Sequence, residues 1–86
     1  VIVISHNELD GPFPTGNRWL AGLPNVDLVV HAHDHRKFSR PIRVERARGG
    51  KVSYIVETGC WGHFVGKLDL VYDKKTRRFD VQNYEL

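Results

Sequence analysis

Three of the five histidines in this 86-residue chain, His31, His33 and His35, fall at every second position, with Asp34 between the last two. Imidazole is the side chain that zinc-like ions bind most often, and it must be neutral to do so, as histidine is near pH 7. A neighbouring carboxylate adds a hard oxygen or holds an imidazole through its other nitrogen. In an extended segment residues two apart share a side, so this spacing predicts that the three rings converge, whereas a helix would scatter them. The cluster follows the apolar run VDLVV at 26–30, and His6 follows a second such run, VIVIS at 1–5. Open α/β sheets place their ligands at the C-terminal ends of buried strands. Two strands that each deliver histidine to that end therefore predict one metal-binding rim, with His6, His31, His33 and His35 all candidates for it. His31 and Asp34 are candidates to orient those ligands or to face a substrate. For a bare H-x-H the plainer reading is a surface cluster, and the second strand argues against it.

Other reactive side chains fit less well. Ser5 adjoins His6, but neighbouring strand residues point to opposite faces, which disfavours a nucleophilic pair. Cys60, the only cysteine, reads as a small packed thiol and cannot form an internal disulfide, so the redox compartment stays open. Gly59, Gly62 and Gly66 read as close turns under the histidine loop, because no helix follows them to cradle a phosphate. His63 reads as an exposed strand residue.

These residues need elements to place them. VIVIS and VDLVV are β-branched runs that predict strands buried on both faces. Between them, Pro12 and Pro14 mark a loop, Thr15 is placed to cap a helix to about Leu23, and Trp19, Leu20 and Leu23 supply its inward face. Strand, helix and strand within thirty residues predict a parallel βαβ unit. Residues 51–58, 63–73 and 77–86 read as further strands, the last two joined by a hairpin turn at DKKT. Leu68, Leu70 and Tyr72 alternate with Lys67, Asp69 and Asp73, as in a half-buried antiparallel strand. The expected class is a layered, mixed α/β fold, mostly strand with one short helix.

A chain of this length holds one domain with a small core. Hydrophobic content of 41% and charged content of 27% are ordinary for a globular protein, and no apolar run is long enough to span a bilayer as a helix. The net charge is +3, but Arg36, Lys37, Arg40, Arg43, Arg46, Arg48 and Lys51 crowd together against Glu45 alone, a local field that favours anionic partners. The chain has no methionine and opens inside an apolar run, so we expect a piece of something longer, from which a missing signal peptide says nothing.

The stretches VIVISH, VDLVVHAHDH and ETGCWGHFVGKLDLVYD, spanning most of residues 1–73, resemble the last third of a calcineurin-like metallophosphoesterase domain, nearest the 5'-nucleotidase branch. The resemblance implies a fragment of that family's β-sandwich fold. It implies that His6 and His33 bind one ion of a dinuclear Mn, Zn or Fe centre and His35 the other. It further implies a phosphate ester, nucleotides foremost, attacked by metal-activated water. Two departures stand out: Ala32 and His31 replace the small residues usual before H-x-H, and the family's upstream Asp-x-His, Gly-Asp and Gly-Asn-His motifs are absent. Asp10 and Gly11 do not replace them. Without carboxylates three imidazoles cannot offset the repulsion between two ions about 3.5 to 4 Å apart, so the chain reads as half an active site. Two other readings compete. The H-x-H also resembles that of amidohydrolase barrels, whose next segment is helical, unlike the strands expected here. Residues 36–51 could alternatively form a basic module for phosphate-containing partners such as nucleic acid, but Phe38 is their only aromatic and single-strand binding favours several.

Overall fold

The computed structural model describes residues 1–45 and 51–86. It is a small α+β domain, mostly strand, with one short helix and no helix among the described residues long and apolar enough to cross a membrane. Arg46 and Arg48 of the basic stretch lie outside the described residues.

The βαβ unit forms as expected. β1 (Ile2–His6) and β2 (Leu28–Ala32) pair in parallel, joined through α1 (Asn17–Ala21). β2 pairs in parallel with β4 (Val52–Val56), and β3 (Ile42–Glu45) closes the far edge antiparallel to β4, giving the order β1-β2-β4-β3. Part of the basic segment thus lies on a sheet edge, at β3. Ile42 and Val44 turn to the core, and Arg43 and Glu45 face water.

The register lays out two rungs on the face that α1 covers. Val3, Val29 and Ile55 stand side by side, with Ile42 opposite Ile55. With Leu9, Ala21 and Val26 they make the buried core, flanked by Leu20, Leu23 and Phe38. One step further along the strands, Ser5 pairs with His31, and Glu57 follows β4 at the same level. This second rung is polar.

Three expectations are corrected here. β1 is not buried on both faces: Ile2 and Ile4 are exposed, Ile4 to 85%, because β1 is an edge strand and α1 covers only the Val3 and Ser5 side. Thr15 does not cap α1, since its hydroxyl bonds back to the Pro12 carbonyl and Gly16 occupies the cap at φ 91°. The buried face of the helix is Asn17 and Ala21, one turn apart, while Trp19 leans outward on Phe13. Five residues make too short a helix to persist alone, so the close packing that Ala21 permits must hold it.

The remaining strands form a separate hairpin, β5 (Lys67–Asp73) and β6 (Arg78–Glu85). β5 starts four residues later than the pattern predicts. A Cβ at Gly66 would stand 2.7 Å from the Thr58 methyl, so the chain crosses too closely there for regular pairing to begin earlier. At the turn the Asp73 carboxylate accepts from the Lys75 and Thr76 amides, an Asx-type closure. A bulge after Asp69 shifts the parity of β6, so Phe79 and Val81 face inward and then Tyr84 does. The Tyr84 hydroxyl donates to the Phe38 carbonyl at 2.9 Å and lies 3.5 Å from that of Glu57, which ties the hairpin to the main sheet.

Candidate functional site

The C-terminal ends of β1 and β2 lie side by side, with His6 in register with Ala32, so both histidine-bearing ends open on one rim. His6 and His33 meet there, their ring centres 5.4 Å apart and their planes at 72°. Both are exposed. Beyond Ala32 the strand breaks: His33 has φ 125° and His35 φ 58°, in the left-handed half of backbone space that non-glycine residues avoid. Ala32 itself continues β2, so its Cβ is accommodated and the conformational demand falls one residue later.

That break overturns the expected convergence of the three alternate histidines. His31 still obeys the strand and points into the protein, its side chain fully buried. His33 swings out beside His6. His35 packs against Trp61, ring centres 5.9 Å apart, and Trp61 contacts His63 at the same distance. His63 is exposed, as expected, but it lies in the loop before β5 and not in a strand. That loop is moored beside the rim, the Gly59 amide donating to the Arg36 carbonyl at 2.9 Å while Gly59 takes φ 82°. Cys60, partly exposed, is a free thiol in the same loop.

Asp34 joins the two sides of the rim. One carboxylate oxygen accepts from the Leu9 amide at 2.9 Å and stands 3.5 Å from His31 Nε2, and the other faces His33 Nδ1 at 3.1 Å. The Leu9 amide, and then His33, hold the Asp34 carboxyl below the ordinary aspartate value. With Nδ1 occupied, His33 presents Nε2 outward.

Sequence reasoning missed three residues here: Asn17, Ser5 as a structural partner, and Glu57. Ser5 Oγ donates to Asn17 Oδ1 at 2.7 Å, Asn17 Nδ2 lies 2.6 Å from His31 Nδ1, and His31 Nε2 lies 3.1 Å from Glu57 Oε2. Glu57 carried the same signal as His6, a polar residue ending an apolar strand.

The donor set fits one ion better than two. Two imidazoles on one tetrahedral ion, with metal–nitrogen bonds of about 2.0 to 2.1 Å, set their ring centres roughly 5 Å apart, near the observed separation. A second ion would need carboxylates, and Asp34 is engaged with Leu9 and His33. Among the described residues no three histidine, cysteine or acidic side chains gather as a metal-binding group. A cleft of about 250 Å³ between Leu9, Asp10, Phe13, Arg18 and Trp19 opens nearby, and no histidine lines it.

No protein-family model matches this chain, and comparisons with curated proteins and with solved structures find no match either.

Proposed function

We propose that this chain carries the histidine rim of a metal-dependent phosphoesterase of the calcineurin-like, 5'-nucleotidase-related kind. The carboxylate and asparagine ligands of a dinuclear centre would come from outside these 86 residues. The observation that carries the reading is the approach of His6 and His33 at the ends of two parallel strands, with His33 steadied by Asp34. His6 and His33 would hold one divalent ion, and His35 would serve a second only with further ligands and a change in its packing against Trp61. A divalent ion supplies Lewis-acid polarisation of a phosphoryl oxygen and activation of water. The chain's own part is to present two imidazoles and to draw an anionic ester with the neighbouring Arg36 and Lys37, both exposed. A phosphate ester, nucleotides foremost, is the substrate class; the choice of nucleotides rests on the resemblance alone.

Calorimetric titration of the chelator-stripped chain with Zn²⁺ or Mn²⁺ tests this. We expect one weak site, abolished by His6→Ala or His33→Ala, unaffected by His63→Ala, and weakening with acidification as protons compete for the imidazoles. In the same preparation we expect no metal-dependent turnover of a phosphodiester or a nucleoside monophosphate. Binding that survives both ligand substitutions would sink the assignment, and robust turnover abolished by His33→Ala would show a complete site where we infer half of one.

A further inference from the structure

Behind the exposed histidine pair runs a buried polar chain that metal binding by His6 and His33 does not itself require. Its starting point is Asn17, fully buried on α1. The Asn17 amide nitrogen lies 3.2 Å from the Asn7 carbonyl and 3.5 Å from that of Ser5, while its oxygen accepts from Ser5 Oγ. A flipped carboxamide would set oxygen against both carbonyls, so the orientation is determined by its surroundings. The same nitrogen is 2.6 Å from His31 Nδ1. Nδ1 must therefore accept, and the His31 proton resides on Nε2.

His31 Nε2 lies 3.1 Å from Glu57 Oε2 and 3.5 Å from Asp34 Oδ2, and neither contact is aligned as a hydrogen bond. The Glu57 side chain is 1% exposed, and neither of its oxygens has a well-aligned hydrogen-bond partner among the described residues. A buried carboxylate in that state is costly unless it serves some arrangement around it. We propose that Glu57 is a positioning residue for His33, acting through His31 and Asp34. By competing for the single His31 N–H, Glu57 leaves the Asp34 carboxylate with its negative charge available to His33 Nδ1. His33 is thereby fixed with its proton on Nδ1 and its lone pair on Nε2, the nitrogen that faces the ion. Remove the Glu57 charge and the His31 proton passes to Asp34 alone, which then accepts less strongly from His33.

This inference rests on the metal-binding reading for its consequence, but its chain of polar contacts can be examined without metal. At alkaline pH, imidazole ¹⁵N shifts of the metal-free chain should show His31 with its proton on Nε2 and His33 with its proton on Nδ1. In Glu57→Gln the Nδ1–H population of His33 should fall while that of His6 stays unchanged, a readout that a merely structural role would not move. Co²⁺ affinity should drop roughly tenfold, the low end of what loss of an outer partner costs a metal site. Asp34→Asn should lose at least as much, and adding Glu57→Gln to it should change nothing further. A His31 proton on Nδ1 in the wild type, an unchanged His33 tautomer in Glu57→Gln, or additive losses in the double variant would each overturn the proposal. Should Glu57→Gln fail to fold, His31→Phe removes the shared N–H altogether, and the Nδ1–H population of His33 must then not fall; a fall there would overturn the proposal. If the wild-type chain binds no Co²⁺, the metal-binding reading fails, while the tautomers still decide the role of Glu57.

Discussion

Asp10, on the loop after β1, and Arg18 of α1 form an exposed ion pair at 2.6 Å. The hydrogen bond from Arg18, assisted by the charges of Arg18 and Arg36, holds the Asp10 carboxyl below its usual value. A depressed folded value means that folding favours the ionised form. The pair's stabilisation is thus present above the unfolded aspartate pKa of about 3.9 and fades as pH falls through the lower folded value. We expect Arg18→Gln to move the Asp10 carboxyl carbon titration upward and to leave stability at neutral pH nearly unchanged, since exposed pairs contribute about 0 to 1 kcal/mol. At this scale the rim was half legible. His6 and His33 could be found because each ends an apolar strand, a pattern that alternation and strand polarity interpret directly. The parting of His33 and His35 could not, because it depends on positive φ values at those two positions, which nothing in their residue types announces. Glu57 escaped because its partner is set by the β2–β4 register, a long-range property.

Among the elements, β1 carries the largest mismatch between sequence and surroundings. Its run of β-branched residues suggests burial on both faces, and the parallel pairing to β2 is as expected. Yet Ile2 and Ile4 face solvent, next to the partly exposed Val30. The pattern specified a strand and its partner correctly; it could not specify what covers the second face, since that depends on whatever packs there. An apolar strip on an edge strand with free backbone groups invites pairing between copies. We predict concentration-dependent self-association in sedimentation velocity, reduced by Ile4→Thr, which keeps β-propensity and removes apolar area. Because Ile4 is so exposed, the monomer's stability should change by no more than about 0.5 kcal/mol. Association undiminished by Ile4→Thr would place the contact elsewhere. The helix shows the opposite case: its existence was foreseeable, but Trp19 on the apolar side of the pattern points outward, because Asn17 and Ala21 let α1 lie close on the sheet.

Across the whole molecule, two sheets of different kinds share one chain, and a hydrogen bond from β6 helps to join them. The Tyr84 hydroxyl bonds to the Phe38 carbonyl and approaches that of Glu57, and burial raises its pKa. A two-stranded ribbon is marginal by itself in water, whereas the parallel sheet is fastened through its core rung. Amide hydrogen exchange should therefore resolve two tiers: β5 and β6 amides exchanging together through a low-energy opening, and those of β2 and β4 only on global unfolding. Tyr84→Phe should speed exchange in the first tier and leave the second unchanged. If the two tiers accelerate equally, the ribbon is part of one cooperative unit. Tyr84 reaches the backbone of Glu57, whose side chain lies behind His31. The hairpin's breathing is thus mechanically continuous with the floor of the histidine rim. Whatever pins β6 down, a bound molecule or another chain, would quiet that floor, and whatever frees it would set the rim fluctuating.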